Sequence, residues 1–517
     1  VKTTTYIPRV ARCSHLVSGA GVLPFAHVAE LVGISDCLDS ALPRSGLTHT
    51  LGDVWVNLAL SLIAGGDDVH DITLLSSVST ALASKSLPSV TTAWRRITEY
   101  ADTSEHVREG FIHAAKQART RVWDLLGDHA PHRVATVEQP LVIDIDATLI
   151  TAHSDKENAT PTYKKGFGFH PLCAFIDYTS IGLPGGEFLN CLLRPGNAGA
   201  NTIRDHCQLV DEILATLPDH SDGQPWGKRL VIRADSAGGT KKFISFLNDH
   251  NLGYVLGYSA PPTARITLDH HLQSQQTTNA DTQHLGTSAH TGKDCDRWDT
   301  RVPIVRASGD LVCDENHFLE DITGLLRTAN IDEHQPLVNL LADYPEDMRV
   351  IARIEPPHPG CQHSLFNQHG VRAQLCVTNL IGNIQHIDYC YRNRSLCEQH
   401  IKDTKDQGLS KLPFKQFGAN QIWCLIVALS HQLLTWTKLI DACHHKDHSH
   451  QETSKPWWTW VPKTIRVRFV AVASKITTSS RRIILQLDQH NPHTHTLVTL
   501  IGYTQSLLQP RWKKRKP

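Results

Sequence analysis

The sequence predicts a mixed α/β protein: a helical first quarter, a mixed sheet flanked by helices, a mostly β insertion interrupting it, and a helical return. Three observations predict it. Apolar residues recur at three- and four-residue spacing up to about residue 135, short apolar runs of strand length begin at 136, and these runs then alternate with helix-length segments. At 517 residues the chain is long enough for two to four domains and a well-buried core. Its 40% apolar, 7% aromatic and 20% charged residues exclude disordered and fibrous classes.

Taken in order, residues 1–135 carry helical segments near 52–64, 68–83, 88–101 and 104–127, the last with Val107, Phe111, Ala114, Ala118 and Val122 on one stripe. The third opens at Leu87-Pro88-Ser89 and sets Thr91, Thr92, Arg95 and Arg96 on its outer turns. A helix, a short turn and a Ser/Thr/Arg-rich helix suit a reader of the DNA major groove, because small hydroxyls allow close approach and arginines reach phosphates and guanine edges. A helical bundle with a solvated basic face uses the same residues. The next region, 136–260, reads as strands at 141–146, 171–177 and 187–193, a helix at about 200–216, a strand at 229–235, a helix at 239–250 and a strand at 254–258. Between 261 and 382, strand-like runs at 302–305, 349–354 and 372–377 surround the polar stretch 273–293, expected as a loop or ribbon tip. Within the next region, 383–440, the chain is helical again from 388 to 440, and 441–517 form a basic C-terminal region.

Charge is balanced overall, 51 Lys+Arg against 51 Asp+Glu, but unevenly placed. From Lys463 to Lys516 eleven basic residues face the single acid Asp488, a net +10 that ends in Arg511-Trp-Lys-Lys-Arg-Lys516. Such a stretch attracts polyphosphate through its field and through counterion release, or serves only as a solubilising tail. The 13 cysteines include no C-x-x-C pair and read as reduced thiols of a cytosolic protein. The longest apolar run, Ile422 to Leu429, falls far short of the roughly 20 residues that span a bilayer, and no signal-peptide pattern opens the chain. Val1 in place of an initiator Met, and one Met (Met348) in the whole chain, leave an incomplete N-terminus open. Residues 441–451, with Cys443-His444-His445, are expected as a solvated loop rather than a metal site, since no partner pair stands at zinc-site spacing.

Three acids carry the chemistry. Asp146 and Asp235 each stand at the end of an apolar strand, where neighbouring strands present side chains to one edge of an α/β sheet. Carboxylates gathered there repel one another unless cations lie between them, which points to Mg²⁺ or Mn²⁺; taken singly, each acid also suits a loop start or helix cap. Tyr391, Arg394, Glu398 and Lys405, at offsets 0, 3, 7 and 14, project from one face of a single expected helix: a phenol, a guanidinium, a carboxylate and an amine. An amphipathic helix with exposed charge pairs is the plainer reading.

The pattern Tyr-x2-Arg-x3-Glu-x6-Lys resembles the Y-R-E-K signature of bacterial insertion-sequence transposases, and Asp146 in Asp-Ala-Thr and Asp235 resemble that group's first two catalytic acids. The gaps agree too, 89 residues from Asp146 to Asp235 and 163 more to Glu398. The stretch from Tyr163 to Pro171 (Tyr-Lys-Lys-Gly-Phe-Gly-Phe-His-Pro) and the run Arg233-Ala-Asp-Ser236 are similar to the DDE group one branch. The resemblance implies an RNase H-like core interrupted by the β insertion, a helical N-terminal DNA-binding region, and two Mg²⁺ or Mn²⁺ ions held by Asp146, Asp235 and Glu398. It further implies in-line cleavage at the ends of a mobile element and joining of the freed 3′-hydroxyl to target DNA. Arg394, Lys405 and Tyr391 would hold phosphates, Arg95 and Arg96 would contact DNA, and Trp298 in the insertion is a candidate to stack a flipped base. A homodimer on paired double-stranded ends, no membrane association, and a bacterial cytoplasmic protein on the nucleoid complete what it implies. Asp144, two residues away on the same strand face, competes with Asp146 as first acid.

Two other classes compete. Asp144-Ile-Asp146-Ala-Thr148 also matches the D-x-D-x-T nucleophile motif of haloacid-dehalogenase-like phosphohydrolases, with Gly309-Asp310 and Asp314 as a later metal motif; this leaves Asp235 and the four-residue helix unexplained. A DNA-binding protein without catalysis would have no use for an intact acid triad.

Overall fold

Side-chain caps start two helices of the first quarter, α3 and α4, where the periodicity places them. The computed structural model describes residues 6–11, 18–44, 46–82, 86–153, 155–199, 202–282, 301–306, 309–314, 316–330, 336–357, 371–447, 456–479 and 482–509. β1 (Tyr6–Ala11) precedes α1 (Leu23–Val32), α2 (Ile34–Ala41), α3 (Leu51–Ala64), a 3-10 stretch (Val69–Val78), α4 (Val90–Thr98), α5 (Ser104–Leu125) and α6 (Pro131–Val134). Thr50 Oγ1 accepts from the Asp53 amide at 3.1 Å to open α3, and Ser89 Oγ accepts from the Thr92 amide at 3.2 Å to open α4.

Two features of this quarter differ from the expectation. The segment before α4 is a 3-10 stretch, so only the second helix of the expected helix–turn–helix forms as an α-helix. Hydroxyls here bond back to the backbone: Thr73 donates to the His70 carbonyl at 3.0 Å, and Ser79, just after the stretch, to that of Ser76 at 2.9 Å, in competition with the α-helical ladder. The other is β1, whose partner lies at the far end of the sequence and so leaves no local signature.

β2 (Leu141–Ala147) opens the sheet region, followed by a small sheet of β3 (Ile150–Thr151), β4 (Thr160–Pro161) and β5 (Phe167–Phe169). Then come β6 (Leu172–Asp177), β7 (Gly186–Leu192), α7 (Ile203–Thr216), β8 (Leu230–Ala234), α8 (Lys241–Asp249) and β9 (Gly253–Gly257). The inserted segment holds α9 (Pro262–Thr282), β10 (Arg301–Val302), β11 (Ile304–Val305), β12 (Leu311–Val312), β13 (Phe318–Asp321), α10 (Thr323–Arg327), β14 (Arg349–Glu355) and β15 (Arg372–Thr378). Part of the expected loop at 273–293 is therefore helix, as far as Thr282; residues 273–282 contain no Gly or Pro to stop one. One nine-stranded sheet results, in the order β10-β13-β14-β15-β9-β8-β2-β6-β7, with β8 parallel to both β2 and β9. The insertion's strands continue this sheet, because β15 pairs antiparallel with β9.

After the sheet run α11 (Ile384–Arg392), α12 (Ser395–Thr404), a π-type turn (Lys405–Leu409), α13 (Phe417–Asp447), α14 (Pro462–Ile465), β16 (Ser474–Ser479), β17 (Arg482–Asp488) and α15 (Thr494–Leu508). The single helix expected to carry Tyr391 through Lys405 is thus two helices broken at Asn393-Arg394, with Lys405 in the π turn. β17 pairs with β16 and, in parallel, with β1.

Alternation along the strands gives the sheet two apolar faces. Leu141, Ile143, Ile145, Leu230 and Ile232 join the main core with the helices of the first quarter and α13, whereas Val142, Val231 and Val255 pack with Ile384 and Ile387 of α11. α13 is long and apolar enough to cross a bilayer, but its apolar window is buried inside the molecule. Its polar residues satisfy the edge strand β7: Gln432 donates to the Phe188 carbonyl at 3.0 Å, Thr435 donates to that of Gly186 at 2.8 Å, and His431 Nδ1 accepts from the Phe188 amide at 3.2 Å. Buried ion pairs bolt α5 to this layer, Arg119 to Glu187 and Arg108 to Glu212.

Candidate active site

Register builds the site. β2 and β8 run parallel with Asp144 opposite Arg233 and Ile145 opposite Ala234, so one step further Asp146 stands beside Asp235. Side chains two apart on a strand share a face, so each strand carries a lower and an upper polar residue on the face that α11 covers.

The lower layer is fully buried. Arg233 donates to both Asp144 oxygens, at 2.6 and 2.8 Å, to Asp177 Oδ2 of β6 at 2.8 Å, and to the Cys390 carbonyl of α11 at 2.8 Å. Asp144 is wholly inaccessible; burial pushes its carboxyl up to about 6, against the pull of Arg233. A doubly gripped carboxylate without solvent access cannot reach a substrate, which weighs against Asp144 as a nucleophile or as first acid. The later motif of the phosphohydrolase reading fares no better: Gly309 and Asp310 occupy the β11–β12 hairpin and Asp314 pairs with His317 at 3.0 Å.

The upper layer faces solvent. Asp146 Oδ1 accepts from the Ala147 amide at 2.8 Å, and Asp235 Oδ1 from that of Ala237 at 2.9 Å, which orients both carboxylates at the sheet's edge. Arg394, at the start of α12, donates to Asp146 Oδ2 at 3.1 Å and lies 3.9 Å from Glu398 Oε1 one turn later; the Glu398 side chain is 71% exposed. Burial raises the Asp146 carboxyl, the Arg394 guanidinium opposes this, and the Asp235 and Glu398 carboxylates add to it. All three acids therefore act within one electrostatic neighbourhood. Among the described residues, the group of His, Cys, Asp or Glu whose donor atoms close to within 4.8 Å of one another lies elsewhere, so these acids stand wider, with the guanidinium between two of them.

An all-carboxylate donor set suits a hard divalent ion such as Mg²⁺ or Mn²⁺, and the guanidinium marks where positive charge is already stabilised. The residues fit such an ion. Arg394, expected on phosphate, is thus paired with an acid of the site. Tyr391 is half-buried, its hydroxyl 2.6 Å from where a Cβ on Gly257 would stand, so only glycine at the end of β9 lets the phenol sit beside Asp235. Lys405 donates to the Leu149 carbonyl at 2.9 Å just beyond β2, and burial lowers its amine with Lys164 adding in the same direction.

The remaining expected contacts scatter. Arg96 is buried and bound to Glu99 at 2.9 Å, whereas Arg95 beside it is exposed. Both line a cleft of about 440 Å³ with Arg44 and His49, within the first quarter. Trp298 and the basic run 511–516 lie outside the described residues. Sequence reasoning missed Asp177, Gly257 and the positioning part of Arg233; an acid repeated at i and i+2 on one strand was the available signal for the lower layer. It also missed the cleft of about 730 Å³ beside Glu398, whose lining includes Arg306, Arg353, Arg372, Arg392 and Arg394 together with Glu355.

Acids end two adjacent parallel strands of a mixed sheet and a third stands on α12 beside the guanidinium that pairs with the first, an arrangement that fits a metal-dependent polynucleotidyl transferase or nuclease. The chain belongs to the family Transposase DDE domain group 1, whose model matches residues 7–509, and it is a DNA transposase. A comparison with curated proteins finds no match.

Proposed function

We propose that Asp146, Asp235 and Glu398 are the DDE triad of a Y-R-E-K-type insertion-sequence transposase, built on an RNase H-like core. The strand order β7-β6-β2-β8-β9, three antiparallel neighbours followed by two parallel additions, supports that core. The observation that carries the reading is the register that sets Asp146 beside Asp235 under the helix bearing Glu398. Bound by the three carboxylates, two Mg²⁺ or Mn²⁺ ions supply activation of water or a 3′-hydroxyl and neutralise the departing oxygen. Arg394 keeps the acids from repelling one another in the free protein and moves to a DNA phosphate when cations replace it. Tyr391 and Lys405 border the same edge, where they contact the backbone of the cleaved strand.

DNA reaches the acids along basic surface. Exposed Tyr163, with Lys164 and Lys165 at the β4–β5 turn, offers one part of that surface, and the arginine-lined cleft beside Glu398 another. Arg95 and the helical first quarter recognise the terminal repeats, the basic C-terminal stretch adds affinity, and two copies act on paired ends, in the cytoplasm on the nucleoid. The test is incubation of the full chain with element-end duplexes and Mg²⁺ or Mn²⁺, with nicks mapped on a denaturing gel. End-specific nicking by wild type and none by Glu398→Gln at equal DNA binding supports the assignment; equal nicking by both refutes it.

A further inference from the structure

We propose that Asp441, His444 and His445 form a binding site for one divalent transition ion of the zinc class, separate from the three catalytic acids. They occupy positions i, i+3 and i+4 in the last turns of α13, hence one helix face. One donor atom from each lies within 4.8 Å of the other two. Bonds of 2.0–2.1 Å to a tetrahedral ion set ligands about 3.4 Å apart, a closure that rotation of the imidazoles supplies.

The surroundings are those of a supported ligand set. The Asp441 side chain is 5% exposed and that of His445 21%. Trp457 Nε1 donates to Asp441 Oδ2 at 2.6 Å, which fixes the carboxylate, and His445 Nδ1 lies 2.9 Å from the Asp441 carbonyl oxygen. Such outer contacts orient ligating groups and tune their basicity. The Tyr503 ring lies 4.0 Å from that of His444, and the Trp458 ring 4.9 Å from that of His445. Two imidazole nitrogens and one carboxylate oxygen select zinc-like ions over Mg²⁺ or Ca²⁺, with water as fourth ligand. Trp457 and Tyr503 come from the turn before α14 and from α15, so the site lies where the C-terminal region packs on the central helix.

The experiment uses the full chain, stripped with a chelator, equilibrated with Zn²⁺ and desalted. One zinc per chain is expected to remain, with a rise in Tm of several degrees. The pair His444→Ala/His445→Ala is expected to lose both effects, while Asp146→Asn/Asp235→Asn keeps them, which separates this site from the catalytic acids. No zinc retained by wild type, or equal retention by the histidine pair, overturns the proposal. Should the histidine pair fail to fold, Co²⁺-loaded wild type decides: intense visible bands of a four-coordinate ion support the site, and only weak six-coordinate bands overturn it.

Discussion

Two layers of polar residues lie one above the other on the same pair of strands, and they have opposite fates. Asp144 and Arg233 sit below, buried, with hydrogen bonds to Asp177 and to the helix backbone above them. Asp146 and Asp235 sit one strand repeat higher, partly exposed, with one backbone amide each and a shared guanidinium nearby. The lower acid is neutralised by a residue of the neighbouring strand; the upper acid Asp146 is paired instead with Arg394, which comes from the start of a helix. Satisfied charge fixes strand register and helix position, and incompletely satisfied charge at the rim is what remains for chemistry.

Exchanging the two aspartates' consequences is the sharpest way to break this comparison. Asp146→Asn is expected to lower Mg²⁺-dependent end nicking by about 10²–10³-fold or more and to leave urea unfolding within about 1 kcal/mol of wild type. A large drop in stability would place Asp146 in the lower layer instead. Arg233→Met leaves two buried carboxylates without their cation and should cost about 3–5 kcal/mol in the same unfolding assay. A loss under about 1 kcal/mol would remove the lower layer from the account of how the strands are held.

A further contrast concerns buried groups kept neutral rather than paired. Burial lowers His27 and His400 to about 4 and His431 well below its ordinary value. The unfolded chain therefore binds protons at these sites before the folded one does, so stability present above about 6.5 declines as pH falls toward about 4. Chemical denaturation at pH 7, 6 and 5 checks this; a flat profile would contradict the neutral burial of these rings. The smallest effect is steric. Gly257→Ala should cost about 1–3 kcal/mol by pushing on Tyr391 and on the backbone at Ser236, and adding Tyr391→Phe should return part of it.

Legibility followed the range of the interactions. Three of the four helical segments of the first quarter, and the strands that carry Asp146 and Asp235, rest on local periodicity and form where the residues imply, whereas the segment at 68–83 forms as a 3-10 stretch and the helix of Arg394 and Glu398 starts anew after a break. Pairing across long distances left no such mark: β1 waits for β17, and the insertion's strands reveal their place in the sheet only through the partnership of β15 with β9. The site was half legible for the same reason. Its acids announce themselves at strand ends, but whether Asp144 or Asp146 faces solvent depends on Arg233 and Asp177 from two other strands. Arg96 misled because its partner Glu99 lies a turn away and draws it inward.

The helix laid along β7 has a consequence for assembly. Gln432, Thr435 and His431 consume backbone groups that another strand would need, so the sheet cannot grow on that margin. Copies that come together therefore cannot do so by a continuous intermolecular ribbon through β7.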